Sequence, residues 1–184
     1  DILVAAWCRD PEPQRIVSFS KARDAVLDEE DHLVVVFDTF LDSRSGYVFK
    51  VNPEGARWDG LVPKSGDDVN SQWDAIWEAK TSRDSTGWYA EIRIPLKSLN
   101  FGKGLDSWGF NVERRVERLQ EVSRWSGINL DYAVSQMSQA GLLKDLPPFH
   151  YGVGASVRPA FVVRTQKPGP GLATDIDTEL SSIS

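Results

Sequence analysis

The chain has 184 residues, 41% of them apolar, with 27 acidic and 21 basic side chains and a formal net charge of -6. That length suits one domain with a sizeable core, and the charge provides no overall positive field to recruit nucleic acid or anionic lipid. One cysteine, Cys8, excludes an internal disulfide, and no run of about 18 apolar residues is present to cross a membrane as a helix.

The dominant period along the chain is two, the signature of strands. The run ILVAAWC (Ile2 to Cys8) reads as a buried strand with Cys8 as a small core group and Trp7 beside it in the core. RIVSF (Arg15 to Phe19) can follow as another, and KARDAVLDEED reads as a loop or one short helix. In LVVVFDTF, Leu33, Val35 and Phe37 share one face and Val34, Val36 and Asp38 the other, so the strand is apolar on both sides and central. YVFKVN places Tyr47, Phe49 and Val51 together, and Asn52-Pro53-Glu54-Gly55 reverses the chain, because Pro fixes φ at the second turn position. After the polar loop PKSGDDVNSQ, a further strand is predicted from about Trp73 to Thr81. WYAEIRIP alternates Trp88, Ala90, Ile92 and Ile94 inward against Tyr89, Glu91 and Arg93 outward until Pro95 removes a donor. WGFNVERRV repeats the pattern, with Trp108, Phe110 and Val112 in phase. Short strands separated by turns predict an all-β fold, a jelly-roll-like antiparallel β-sandwich of about eight to ten strands, with no helix longer than about three turns. LPPFHYG reads as a linker, and residues 147–184 as that linker, one strand candidate and a tail that is either disordered or the start of something removed, such as a β-barrel.

VVVFDTFLDSRSGYVFKVNPEGARWDG, WDAIWEA, GWYAEIRIPLKSLNF and WGFNVERR, in that order, resemble the family 9 carbohydrate-binding-module-like domain. The version they resemble stands at the N-terminus of large bacterial outer-membrane proteins, ahead of a β-barrel. The resemblance covers residues 1–146. Members of that family begin with an earlier strand built around Asp-Gly and Trp, so the first strand is expected to be missing here. The resemblance implies a non-catalytic, sugar-binding sandwich, a carbohydrate ligand, a C-terminal barrel of the same polypeptide as a partner, and a periplasmic, outer-membrane or extracellular location. It also raises structural calcium as a cofactor.

A pyranose offers an apolar C–H face that stacks on an indole, while carboxylates, amides and guanidinium groups fix its hydroxyls. Trp58 and Asp59 follow the hairpin turn, and Trp73 and Trp77 flank the next loop, so these four are the expected sugar-binding residues. Against this, a tryptophan on a strand is more often core than platform. Trp88 and Trp108, in phase with aliphatic neighbours, are assigned to the core, and Trp125 to neither. For calcium, which takes six to eight oxygens, the richest places are Asp38 with Asp42 and Asp67 with Asp68, although solvated acidic loops are the commoner explanation of such residues. Two Trp-Asp pairs 15 positions apart do not match propeller blades, which recur at roughly 40 residues. No HExxH, GxSxG or Cys/His cluster occurs, so hydrolase activity is expected in a partner. Two alternatives remain: a haem b-binding sandwich using Met137 and His150, and a periplasmic interaction module that binds no sugar.

Overall fold

A computed structural model describes residues 1–64, 68–127, 129 and 131–149. Among the described residues, nine strands form two antiparallel sheets, stacked as a β-sandwich. The smaller sheet has the order β1 (Ile2–Arg9), β6 (Gly87–Ile94), β5 (Glu78–Asp84). The larger runs β4 (Arg57–Val62), β3 (Gly46–Val51), β2 (His32–Asp38), β7 (Trp108–Val116), β8 (Glu121–Arg124), with β9 (Gly141–Leu143) also on β7. The helices among the described residues are single three-residue 3-10 turns, none of them able to cross a membrane, which says nothing of a barrel.

The period-two pattern builds the core directly. Leu33, Val35 and Phe37 of β2 and Tyr47, Phe49 and Val51 of β3 face Trp88, Ala90, Ile92 and Ile94 of β6 across the sandwich. Every residue of β2 is buried, as a central strand with two apolar faces requires. Its outer face, Val34 and Val36, is covered by Val48, Val62 and Met137, with Trp58 and Val69 at the margin. The hairpin between β3 and β4 closes where the sequence places it: Gly55 N–H donates to the Asn52 carbonyl (3.1 Å), with Gly55 at φ +84°.

Three expectations are corrected. Residues 15–19 form no strand: Ile16 is buried, but the Phe19 and Ser20 amides donate to the Glu30 carboxylate instead of a ladder. The strand expected from Trp73 starts later, at Glu78, because residues 73–77 fold inward around a buried carboxylate. The domain also continues past residue 146. Phe149 stacks 5.1 Å from Trp108 and 5.8 Å from Phe101 between ring centroids, so this part of the expected linker belongs to the core. The strand candidate and tail beyond it lie outside the described residues.

His32, at the start of β2, is buried, and its Nδ1–H is shared between the Leu27 and Glu30 carbonyls, each at 2.9 Å. Burial and then the nearby Lys50 hold its pKa below the ordinary 6.5, against the opposing pull of the two carbonyls and Glu113. The unfolded chain therefore takes up a proton near pH 6.5 that the folded chain refuses. The stability this gives is complete above that pH and falls as pH drops toward the folded value, by at most about 1.4 kcal/mol per pH unit. Urea midpoints should decline between pH 7 and 5.5 in the wild type and stay flatter in His32→Gln; parallel profiles would contradict this.

Candidate functional site

The four expected sugar-binding residues separate onto two sides of the larger sheet, because neighbours on a strand point opposite ways. Trp58 pairs with Lys50 across β4 and β3, and Asp59 pairs with Phe49. Trp58 therefore lies on the outer face, half-buried against the Val34, Val36 and Val48 cluster. The Lys50 ammonium sits 5.4 Å from its ring centroid and also donates to Asp28 (2.8 Å). Asp59 lies on the inner face and is 1% exposed.

Around Asp59 the chain is knitted together. Its Oδ1 accepts from Trp77 Nε1 (2.9 Å) and Arg23 Nη2 (2.7 Å), and its Oδ2 from the Ala75 amide (2.7 Å). Arg23 also pairs with Asp74. Trp77 is 2% exposed, with its ring 5.1 Å from Phe49 and the Arg57 guanidinium over it at 5.6 Å. Trp73 packs half-buried on Tyr47, 5.0 Å between centroids. The turn thus delivers Asp59 to a structural lock that carries residues 73–77 into the core. Asp59 and Trp77 offer no open face to a ligand in this arrangement, while Trp58 and Trp73 keep part of theirs.

The acidic candidates do not fit calcium. Asp38, 1% exposed, accepts the Phe40 and Asp42 amides on Oδ1 and the Ser43 amide on Oδ2. Asp42 accepts the Arg44 and Ser45 amides and the Ser45 hydroxyl. These bonds hold a loop in which Leu41 and Ser43 adopt left-handed φ of 53° and 58°. Both carboxylates face N–H and O–H donors, where a cation would need further oxygens. Asp68 is exposed, Asp67 lies outside the described residues, and no cluster of three or more His, Cys, Asp or Glu able to hold a metal occurs among the described residues. Met137 does not fit haem ligation either: it is 3% exposed and packed among valines. His150 lies outside the described residues.

Trp7 departs from the sequence reading. Ile2, Val4 and Ala6 lean inward and Cys8 is buried, with burial raising its thiol pKa to about 11. Leu3, Ala5 and Trp7 point outward instead, and Trp7 is 67% exposed. In an unbroken apolar run alternation is invisible, but the clean pattern of β6, its partner, carried the phase. Trp125 is also exposed.

Comparison of the sequence with protein-family models and with curated proteins finds no match in either. The fold does have relatives among solved structures. One is a candidate carbohydrate-binding protein from Bacteroides uniformis, with a TM-score of 0.56 and 14% identity over 70% of this chain and 67% of that one. Another is a family 9 carbohydrate-binding module from Caldicellulosiruptor kristjanssonii in complex with glucose, with a TM-score of 0.52 and 16% identity over 83% of this chain and 73% of that one. These likenesses give the two-sheet sandwich the fold of a family 9 carbohydrate-binding-module-like domain.

Proposed function

We propose that this domain binds carbohydrate and leaves catalysis to other parts or partners. The observation that carries the reading is the fold shared, over most of the chain, with a module whose structure holds glucose. The resemblance to the N-terminal domains of outer-membrane proteins extends the proposal to a place in glycan use at a bacterial cell surface, in the periplasm, at the outer membrane or outside the cell, with a β-barrel as the partner in cis.

Calorimetry with glucose and with cello- and xylo-oligosaccharides tests the binding. A small open site predicts dissociation constants from micromolar to millimolar, roughly 4 to 8 kcal/mol. One observation favours a second reading, an interaction module without sugar binding: Asp59 and Trp77 are spent on each other in the interior. Absence of heat with all of these sugars would give that reading the preference.

A further inference from the structure

The outer face of the smaller sheet is built in three rows fixed by register. Trp7, Tyr89 and Ser82 stand side by side, then Ala5, Glu91 and Lys80, then Leu3, Arg93 and Glu78. Successive rows are roughly 7 Å apart along the strands. All of these side chains are exposed except half-buried Tyr89. The Tyr89 hydroxyl is held by Asp84 Oδ2 and Thr86 Oγ1, both at 2.7 Å. Ala5 is the one small side chain of the middle row, and a shallow depression of about 410 Å3 lies on this face, lined by Leu3, Ala5, Lys80, Glu91 and Arg93 among others.

Two features of this face call for a ligand. An indole left in water forgoes the gain from covering its apolar surface, and here it stands on the same face as the hollow, one row beyond the Ala5 that lines it. Beside it, the Lys80 and Glu91 side chains make no hydrogen bond or ion pair with any described residue, whereas Arg93 is engaged by Asp1 at 2.7 Å. One offers donors and the other acceptors, which together match hydroxyls that both give and take hydrogen bonds. A protein partner would call for a wider continuous apolar patch. Here Leu3 and Trp7 are separated by Ala5 and bordered by charges.

We propose that this face is the glycan-binding surface, with Trp7 as the stacking platform, Ala5 as the floor, and Lys80 and Glu91 as the hydroxyl partners. The proposal rests on the carbohydrate reading above and moves its site away from Trp58, Trp73 and Trp77. The test is calorimetry of the whole chain with glucose, cellotriose and xylotriose, comparing wild type with Trp7→Ala, Trp7→Phe, Glu91→Gln and, as a control, Trp125→Ala. Trp7→Ala should weaken binding about fivefold or more, the loss of an aromatic platform. Trp7→Phe should fall between it and wild type, Glu91→Gln should weaken binding about threefold or more, as for a hydrogen bond to a charged group, and Trp125→Ala should match wild type. Thermal melting within a few degrees of wild type shows that Trp7→Ala still folds, as expected for an exposed side chain. Wild-type binding that survives Trp7→Ala and Glu91→Gln unchanged overturns this surface and leaves the carbohydrate reading standing. No wild-type binding to any of the three sugars overturns both.

Discussion

Asp59→Ala should destabilise the domain by about 3–5 kcal/mol, the range for removing one partner from a buried ion pair. Three donors converge on this carboxylate: Trp77 Nε1, the Ala75 amide and Arg23. Arg23 retains Asp74 after the substitution, but the indole N–H and the amide are left inside without an acceptor, each costing roughly 1–3 kcal/mol. Asp59→Asn, which keeps one acceptor oxygen, should lose less. Urea unfolding followed by tryptophan fluorescence measures both. A loss below about 1 kcal/mol in Asp59→Ala would mean that residues 73–77 hold their place by packing alone.

Glu30→Ala should cost about 3 kcal/mol or more, for a different electrostatic reason. Glu30 is fully buried, and among the described residues no cation pairs with it. Its charge is held by neutral donors, the Phe19 amide (2.8 Å), the Ser20 amide (3.2 Å) and Asn52 Nδ2 (2.8 Å). Burial alone would raise its pKa, yet these bonds outweigh it and the net direction is downward from 4.5. A depressed carboxylate contributes stability above its unfolded pKa and loses it as pH falls through the folded value. The wild type should therefore weaken on acidification below about pH 4.5 more steeply than Glu30→Ala, which chemical denaturation at pH 5, 4 and 3 would measure. Equal slopes would place the acid sensitivity in other carboxylates, Asp10 first among them, since the Arg118 hydrogen bonds hold its pKa low as well.

Glu30 and Asp59 also show where reading the sequence stops. The strands were legible wherever one face is apolar and the other polar, as in β6, because burial on one side of a pleat imposes the alternation itself. Residues 15–19 looked like a strand by composition, but the Arg15 and Ile16 amides close a turn and the Phe19 amide pairs with a side chain 11 positions away, a choice that periodicity does not record. The candidate site divided for a similar reason. Spacing put Trp58, Asp59, Trp73 and Trp77 in one neighbourhood, but only the register of β4 on β3 decides the faces of Trp58 and Asp59, and contacts to Asp59 and Tyr47 place Trp77 and Trp73. Trp7 was hidden in a run whose members look alike until the partner strand assigns their sides.

The pairing of β1 with β6, Ile2 opposite Ile94 and Arg9 opposite Gly87, has a kinetic consequence. The β2–β3 and β3–β4 hairpins are local and can close early, whereas β1 must wait for β6, with four strands between them along the chain. Throughout that interval this eight-residue, mostly apolar strand lacks its β6 partner, with backbone donors and acceptors open to another chain. The segment that presents Trp7 on the finished surface is thus also one left open to mispairing until β6 arrives.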